Sequence, residues 1–104
     1  MSDWQVLDEL WEVIQERRRT PREGSYTARL FALGEDEMVK KVGEEAIEVI
    51  VAAKSGQPDA VARETADLLY HLWVLLAQCE VPPERVLAEL RQRRGPARPG
   101  RSEP

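Results

Sequence analysis

Cysteine, histidine and phenylalanine occur once each in this chain of 104 residues. A lone Cys79 cannot close an internal disulfide, which fits a reducing compartment. A lone His71 counts against a carboxylate-bridged di-iron bundle, which takes Glu-x-x-His from each of two helices. Positive charge is also in short supply. Fifteen Lys and Arg face nineteen Asp and Glu, a formal net charge of -4, so the basic face of a general nucleic-acid binder is not expected. An anionic substrate stays compatible with this balance, because a bound cation reverses the local field. Long apolar runs are missing too. The stretch most like a membrane span, Ala66 to Ala77, is too short and contains Asp67 and His71, so it reads as a buried helix of a bundle and no membrane partner is expected. Met1 to Leu10 carry Asp3, Asp8 and Glu9 in place of a basic, apolar signal, which argues against secretion. Neither a glycine-rich, lysine-serine phosphate loop nor a dinucleotide fingerprint occurs.

What is present is a soluble, globular composition, 42% hydrophobic and 33% charged, long enough for one domain with a modest core. Trp4, Leu7, Trp11 and Ile14 recur at spacings of three and four, predicting an amphipathic first helix closed by Arg17, Arg18 and Arg19 at the negative end of its dipole. Pro21 and Gly24 break the pattern. A loop through Ser25, Tyr26 and Thr27 follows, with one helical turn expected over Ala28 to Ala32 and a stop near Gly34. A long second helix is predicted from Glu35 or Asp36 to Lys54, with an apolar stripe of Met38, Val42, Ala46, Val49 and Ala53. Gly43 inside it costs about 1 kcal/mol of helix propensity, and close approach of a neighbouring helix or ligand is the simplest reason for it. Gly56, Gln57 and Pro58 make the next break, and Asp59 is expected to cap a third helix over Ala60 to Gln78. Val81, Pro82 and Pro83 end it before a short fourth helix carrying Val86, Leu87 and Leu90. These pieces predict a single all-α domain over residues 1–94. Its two central helices are joined by a tight loop and pack antiparallel. Residues 95–104, with almost nothing to bury, are expected to be a disordered tail. The amphipathic first and fourth helices, and three tryptophans in so short a chain, point to a homodimer that completes the core.

The chemistry-bearing residues are acids. Glu45 and Glu48 fall three apart on one face of the second helix, beside Glu44, and Glu64, Asp67 and His71 share an arc of about 60° on the third. Glu44 alone reads equally well as a solvated helix acid. Asp67 sits in a run that Leu68, Leu69, Tyr70, Leu72 and Trp73 would otherwise define as core, where an isolated carboxylate is costly. Acids facing one another across antiparallel helices repel unless they are protonated or share cations. Hard oxygen ligands without cysteine point to Mg²⁺, or Mn²⁺, rather than structural zinc. Around them, Ser25, Tyr26 and Thr27 offer hydroxyls and backbone N–H groups, and Arg22, Arg29, Lys40 and Lys41 offer charge to phosphates. His71 is either a partner of a ligand or a phosphate contact. Ordinary loop chemistry, exposed lysines and a hydrogen-bonded histidine at the core edge account for the same residues equally well. Cys79, next to a helix end, reads as structural.

Together these stretches resemble the phosphoribosyl-ATP pyrophosphatase family of histidine biosynthesis. The resemblance is carried by Gly24-Ser25-Tyr26-Thr27, Leu30, Gly34, Lys40-Lys41-Val42-Gly43-Glu44-Glu45-Ala46 with Glu48, Glu64, Ala66-Asp67-Leu68-Leu69-Tyr70-His71-Leu72 and Val86-Leu87-Ala88-Glu89-Leu90, and spans about Trp4 to Arg94. The wider superfamily, the MazG-like all-α nucleotide pyrophosphohydrolases, requires only Glu-x-x-Glu and a later Glu-x-x-Asp. The family is expected to share the MazG-like helical bundle, with the acidic site on the two central antiparallel helices and dimerisation completing it. The resemblance implies Mg²⁺-dependent cleavage of phosphoribosyl-ATP between its α and β phosphates, giving phosphoribosyl-AMP and pyrophosphate, in a cytoplasmic homodimer. Glu44, Glu45, Glu48, Glu64 and Asp67 would then serve the metal, with Glu48 or Glu45 as catalytic base and Glu48 favoured. Ser25, Tyr26, Thr27, Arg29, Lys40, Lys41 and His71 would bind substrate. The family often has lysine where this chain has Arg29, which brings a fixed fork instead of a mobile point charge. Two alternatives stand beside this reading. One is a house-cleaning (deoxy)nucleoside triphosphate pyrophosphohydrolase with the same acids, and the other a non-catalytic helical dimerisation module.

Overall fold

The structure is a computed structural model that describes residues 3–94; the expected tail, 95–104, lies outside the described residues. Among the described residues five helices follow in order: α1 (Gln5–Arg19), α2 (Tyr26–Leu33), α3 (Glu35–Ser55), α4 (Pro58–Gln78) and α5 (Pro83–Arg94). The all-α expectation holds. The α3–α4 hairpin is the frame, and α1 and α2 pack across it. Gly56 ends α3 at φ +72°, a left-handed conformation that a β-carbon resists. Pro58 then opens α4 at its first turn, where a missing N–H leaves no bond unmade.

Two helices, α4 and α2, differ most from the sequence expectation. Asp59 lies within the first turn of α4, because Pro58 starts the helix and Gln57 takes the cap position. The segment after Ser25 forms an eight-residue helix instead of a single turn, since the Ser25 side chain caps it by accepting from the Ala28 N–H at 3.1 Å.

The core is Ile14, Leu30, Met38, Val74 and Ala77, with Leu10, Trp11, Phe31, Tyr70, Trp73 and Leu75 packed against it. The Trp73 indole N–H donates to the Leu7 carbonyl at 3.2 Å and ties α4 to α1. Other expected core positions lie outside. Trp4 is 75% exposed, and Leu87 and Leu90 on α5 are about half exposed. On α3 the buried small residue is Ala52 while Ala53 is exposed, because the helix rolls by about 100° per residue and leans on α4 through the neighbouring position. Gly43 has nothing within 4 Å of where a β-carbon would be, so close packing within the chain does not explain it. It lies on an exposed face with Val39, Ile47 and Ile50. Cys79 is exposed rather than structural. At that position the backbone does the work, its N–H bonding the Leu75 carbonyl at 2.9 Å.

Leu30 is 1% exposed and belongs to the short α2, so that helix depends on it. Leu30→Ala is expected to destabilise the protein by about 2–5 kcal/mol in urea unfolding followed by circular dichroism.

Candidate active site

Packing α4 against α3 places carboxylates from both helices along one edge of their seam. Glu45, Glu64 and Asp67 bring ligand oxygens within 4.8 Å of one another. They line an open cleft of about 460 Å³ together with Lys41, Glu44, Ile47 and Glu48. Glu45 and Glu64 are half-buried, whereas Asp67 is exposed. The apolar run around Asp67 predicts a deeper position. Its helical neighbours Leu68 and Leu72 turn inward by about 100° or more and leave the acid on the rim. Of the five acids expected at a metal, three converge; Glu44 and Glu48 line the same cleft outside the tight trio. Three hard oxygen donors from facing helices, at the edge of solvent, are a donor set that suits a divalent cation that keeps part of its water.

Lys41 sits among these acids. Its Nζ donates to Glu44 Oε1 at 3.4 Å and lies 3.8 Å from Glu45 Oε1. Burial pulls the Lys41 ammonium toward neutrality, but Tyr26, Glu44 and Glu45 outweigh it and hold its pKa above the ordinary lysine value. Lys40, one residue earlier, turns instead toward Glu37 at 4.0 Å.

The remaining candidates gather where α2 meets α4. Gly24, Ser25, Tyr26 and Arg29 line a second cleft of about 340 Å³, and the Arg29 guanidinium stacks over the Tyr26 ring at 5.4 Å. His71 is buried, and both ring nitrogens are engaged. Its Nδ1 lies 2.8 Å from the Asp67 carbonyl oxygen, which can only accept. Nδ1 therefore carries the proton, and Nε2 accepts from the Tyr26 hydroxyl at 3.1 Å. Thr27 is buried and hydrogen-bonds the Tyr70 hydroxyl. Tyr70 is the site neighbour that sequence reasoning passed over. Its ring lies 4.9 Å from that of His71 and 6.1 Å from that of Tyr26. The available signal was a polar-tipped aromatic beside His71 in an otherwise aliphatic run, since a buried tyrosine hydroxyl needs a partner.

Comparison with known proteins identifies the family. The family model for phosphoribosyl-ATP pyrophosphohydrolase matches residues 7–94. The chain belongs to that family. Among similar proteins, a phosphoribosyl-ATP pyrophosphatase of Pelotomaculum thermopropionicum is 53% identical over 90% of this chain and 96% of its own length. A protein of the same name from Lactiplantibacillus plantarum is 50% identical over 88% of this chain and 86% of its own. Another, from Paramagnetospirillum magneticum, is 50% identical over 90% and 86%. The family resemblance read from the Ser25-Tyr26-Thr27 loop and the two acidic pairs is thereby borne out. No helix among the described residues is long and apolar enough to cross a membrane.

Burial raises the Tyr70 pKa above its ordinary 10.0; the Thr27 hydrogen bond opposes this, and Tyr26 adds to it. The folded state therefore holds the Tyr70 proton more tightly than the unfolded chain does. Lys41, also raised, has the same sign. Their contributions are complete below about pH 10 and are lost as pH climbs through the folded-state values. Stability measured by urea unfolding should fall above that pH, and Tyr70→Phe should flatten the fall while lowering stability at neutral pH.

Proposed function

We propose that this chain hydrolyses 1-(5-phosphoribosyl)-ATP between its α and β phosphates, giving 1-(5-phosphoribosyl)-AMP and pyrophosphate, as the second step of histidine biosynthesis in the cytoplasm. The observation that carries the reading is the meeting of Glu45, Glu64 and Asp67 from two helices in a chain of this family. Glu45, Glu64 and Asp67 would hold Mg²⁺, or Mn²⁺ in its place, with Glu44 and Glu48 beside them in the cleft. Such an ion, when bound, neutralises polyphosphate charge and polarises the phosphorus under attack.

The protein's own groups divide the remaining work. Glu48 lines the cleft outside the tight trio, so its carboxylate is free to orient a water and accept its proton as general base; Glu45 is the second choice. Lys41 and Arg29, with Lys40 after release from Glu37, meet phosphate oxygens and offset charge on the departing pyrophosphate. Ser25 and Tyr26 border the second cleft and contact the nucleotide there. His71 and Thr27, whose polar side-chain atoms are spent on Tyr26, the Asp67 carbonyl and Tyr70, serve substrate binding by fixing the Ser25–Arg29 segment against α4. Turnover in ¹⁸O water tests substrate and bond together. Phosphoribosyl-ATP should be strongly preferred over deoxynucleoside triphosphates, and label should enter phosphoribosyl-AMP or pyrophosphate but not both. Asp67→Asn keeps the shape and removes the charge. It should lose more than about tenfold in turnover and bind Mg²⁺ more weakly, with metal-free stability equal to or above wild type because one repelling charge has gone. Wild-type turnover in that variant would end the assignment of Asp67.

A homodimer belongs to the same reading. Besides the half-exposed α5 residues, α3 presents Val39, Ile47 and Ile50, each more than half exposed, around Gly43 within an arc of about 80°. A contiguous apolar patch of this kind marks an interaction site, and the glycine allows a partner helix to come close. Sedimentation equilibrium at micromolar concentration should give a two-chain species, and Ile50→Glu should shift it to the monomer.

A further inference from the structure

Among the described residues lining the acidic cleft, Lys41 is the only cation, facing Glu44, Glu45, Glu48, Glu64 and Asp67. Its contacts are divided in a particular way. Glu44, 3.4 Å away, lies outside the trio of converging carboxylates, whereas Glu45, 3.8 Å away, belongs to it. One carboxylate is therefore offered both to the ammonium and to any ion held by Glu64 and Asp67. We propose that Lys41 is an exchangeable counter-ion: it holds Glu45 in the metal-free protein, yields that carboxylate to an entering divalent cation, and passes to the polyphosphate. This rests on the reading of Glu45, Glu64 and Asp67 as metal ligands.

The physical case is one of charge and reach. Without an opposite charge, five carboxylates around one cleft repel, and Lys41 relieves that repulsion where two of them are within 4 Å of its nitrogen. A divalent ion on Glu45 puts two further positive charges beside the ammonium, so both cannot hold that carboxylate at full strength. The four-carbon stem of lysine lets the ammonium swing without moving the helix. Glu44 is half exposed and on the same helix, one turn on, so it retains Lys41 at the cleft mouth after Glu45 is lost. A polyphosphate drawn to an ion on these acids would enter the cleft that Lys41 itself lines. A fixed guanidinium fork at this position could not change partners as easily.

The test uses the full chain and Mn²⁺ alone, with the free ion read by electron paramagnetic resonance. Wild type, Lys41→Gln, Lys41→Met, Glu45→Gln and Lys54→Gln are compared. Lys54→Gln removes the same charge from the exposed far end of α3. Both Lys41 variants should bind Mn²⁺ about three- to tenfold more tightly than wild type, with Lys54→Gln within about twofold of it. At saturating Mg²⁺, the Lys41 variants should bind pyrophosphate about tenfold more weakly. An unchanged Mn²⁺ affinity in the Lys41 variants, or an equal gain in Lys54→Gln, overturns the exchange. A gain in Mn²⁺ affinity with pyrophosphate binding unaltered overturns the transfer to phosphate. Equal Mn²⁺ binding by wild type and Glu45→Gln removes the metal reading itself, and this proposal with it.

Discussion

Gly56 adopts φ +72° and reverses the chain between two helices of 21 residues each. An L-residue with a β-carbon holds that conformation only at a cost of about 1 kcal/mol, so glycine sits there for a physical reason. The reversal also sets the register of the hairpin. Counting outward from Gly56, Glu48 and Glu64 both stand eight residues away, and Glu45 and Asp67 both stand eleven. At about 1.5 Å per residue, equal counts mean equal heights above the turn. The two acidic pairs meet because the turn is short and lies midway between them. A residue inserted on one side would rotate one pair by about 100° and carry it off the seam.

Bringing like charges together opposes folding, and the structure answers this locally. Glu44, Glu48 and Asp67 are exposed, where water screens them, and Lys41 bridges Glu44 and the half-buried Glu45. Surface pairs of this sort contribute at most about 1 kcal/mol, so they do not hold the hairpin closed. That is done by Met38, Val74 and Ala77, fully buried between the helices and the α1–α2 layer. The Tyr26–His71 and Thr27–Tyr70 hydrogen bonds add a second tie. They fasten the start of α2 to the face of α4 one turn beyond Asp67, so the helix that carries Arg29 and the acidic cleft share one support.

Much of this was legible in the sequence because it depends on spacing. Glu45 with Glu48 and Glu64 with Asp67 are fixed by helical periodicity, and the hairpin by Gly56, Gln57 and Pro58. What spacing could not supply was the roll of each helix about its own axis. An apolar run of Leu68, Leu69, Leu72 and Trp73 identifies α4 as packed but not which side is packed, and Asp67 proved exposed. For the same reason Ala52, and not Ala53, faces inward. The lone His71 reads from spacing as a partner of a ligand, a phosphate contact or a histidine at the core edge, because its role depends on Tyr26, 45 residues away. Close approach of a neighbouring helix is the simplest reading of Gly43 from sequence, yet within the chain nothing lies within 4 Å of where its β-carbon would be.

Three sides of α3 carry three kinds of residue. Met38, Val42, Val49 and Ala52 face the protomer core, Glu44, Glu45 and Glu48 face the cleft, and Val39, Ile47 and Ile50 face outward. A helix with apolar residues on two of its sides is built for burial on both. Ile47 belongs to the outer stripe and also lines the cleft. Any chain that covers the stripe must therefore come up to the edge of the acids. Covering it would remove water from one side of Glu44 and Glu48 and strengthen every charge interaction within the cleft. The proposed dimer and the proposed metal site would then be energetically linked. A cation that quiets the acids makes the adjoining apolar surface easier to bury, and burial of that surface makes the cation more necessary.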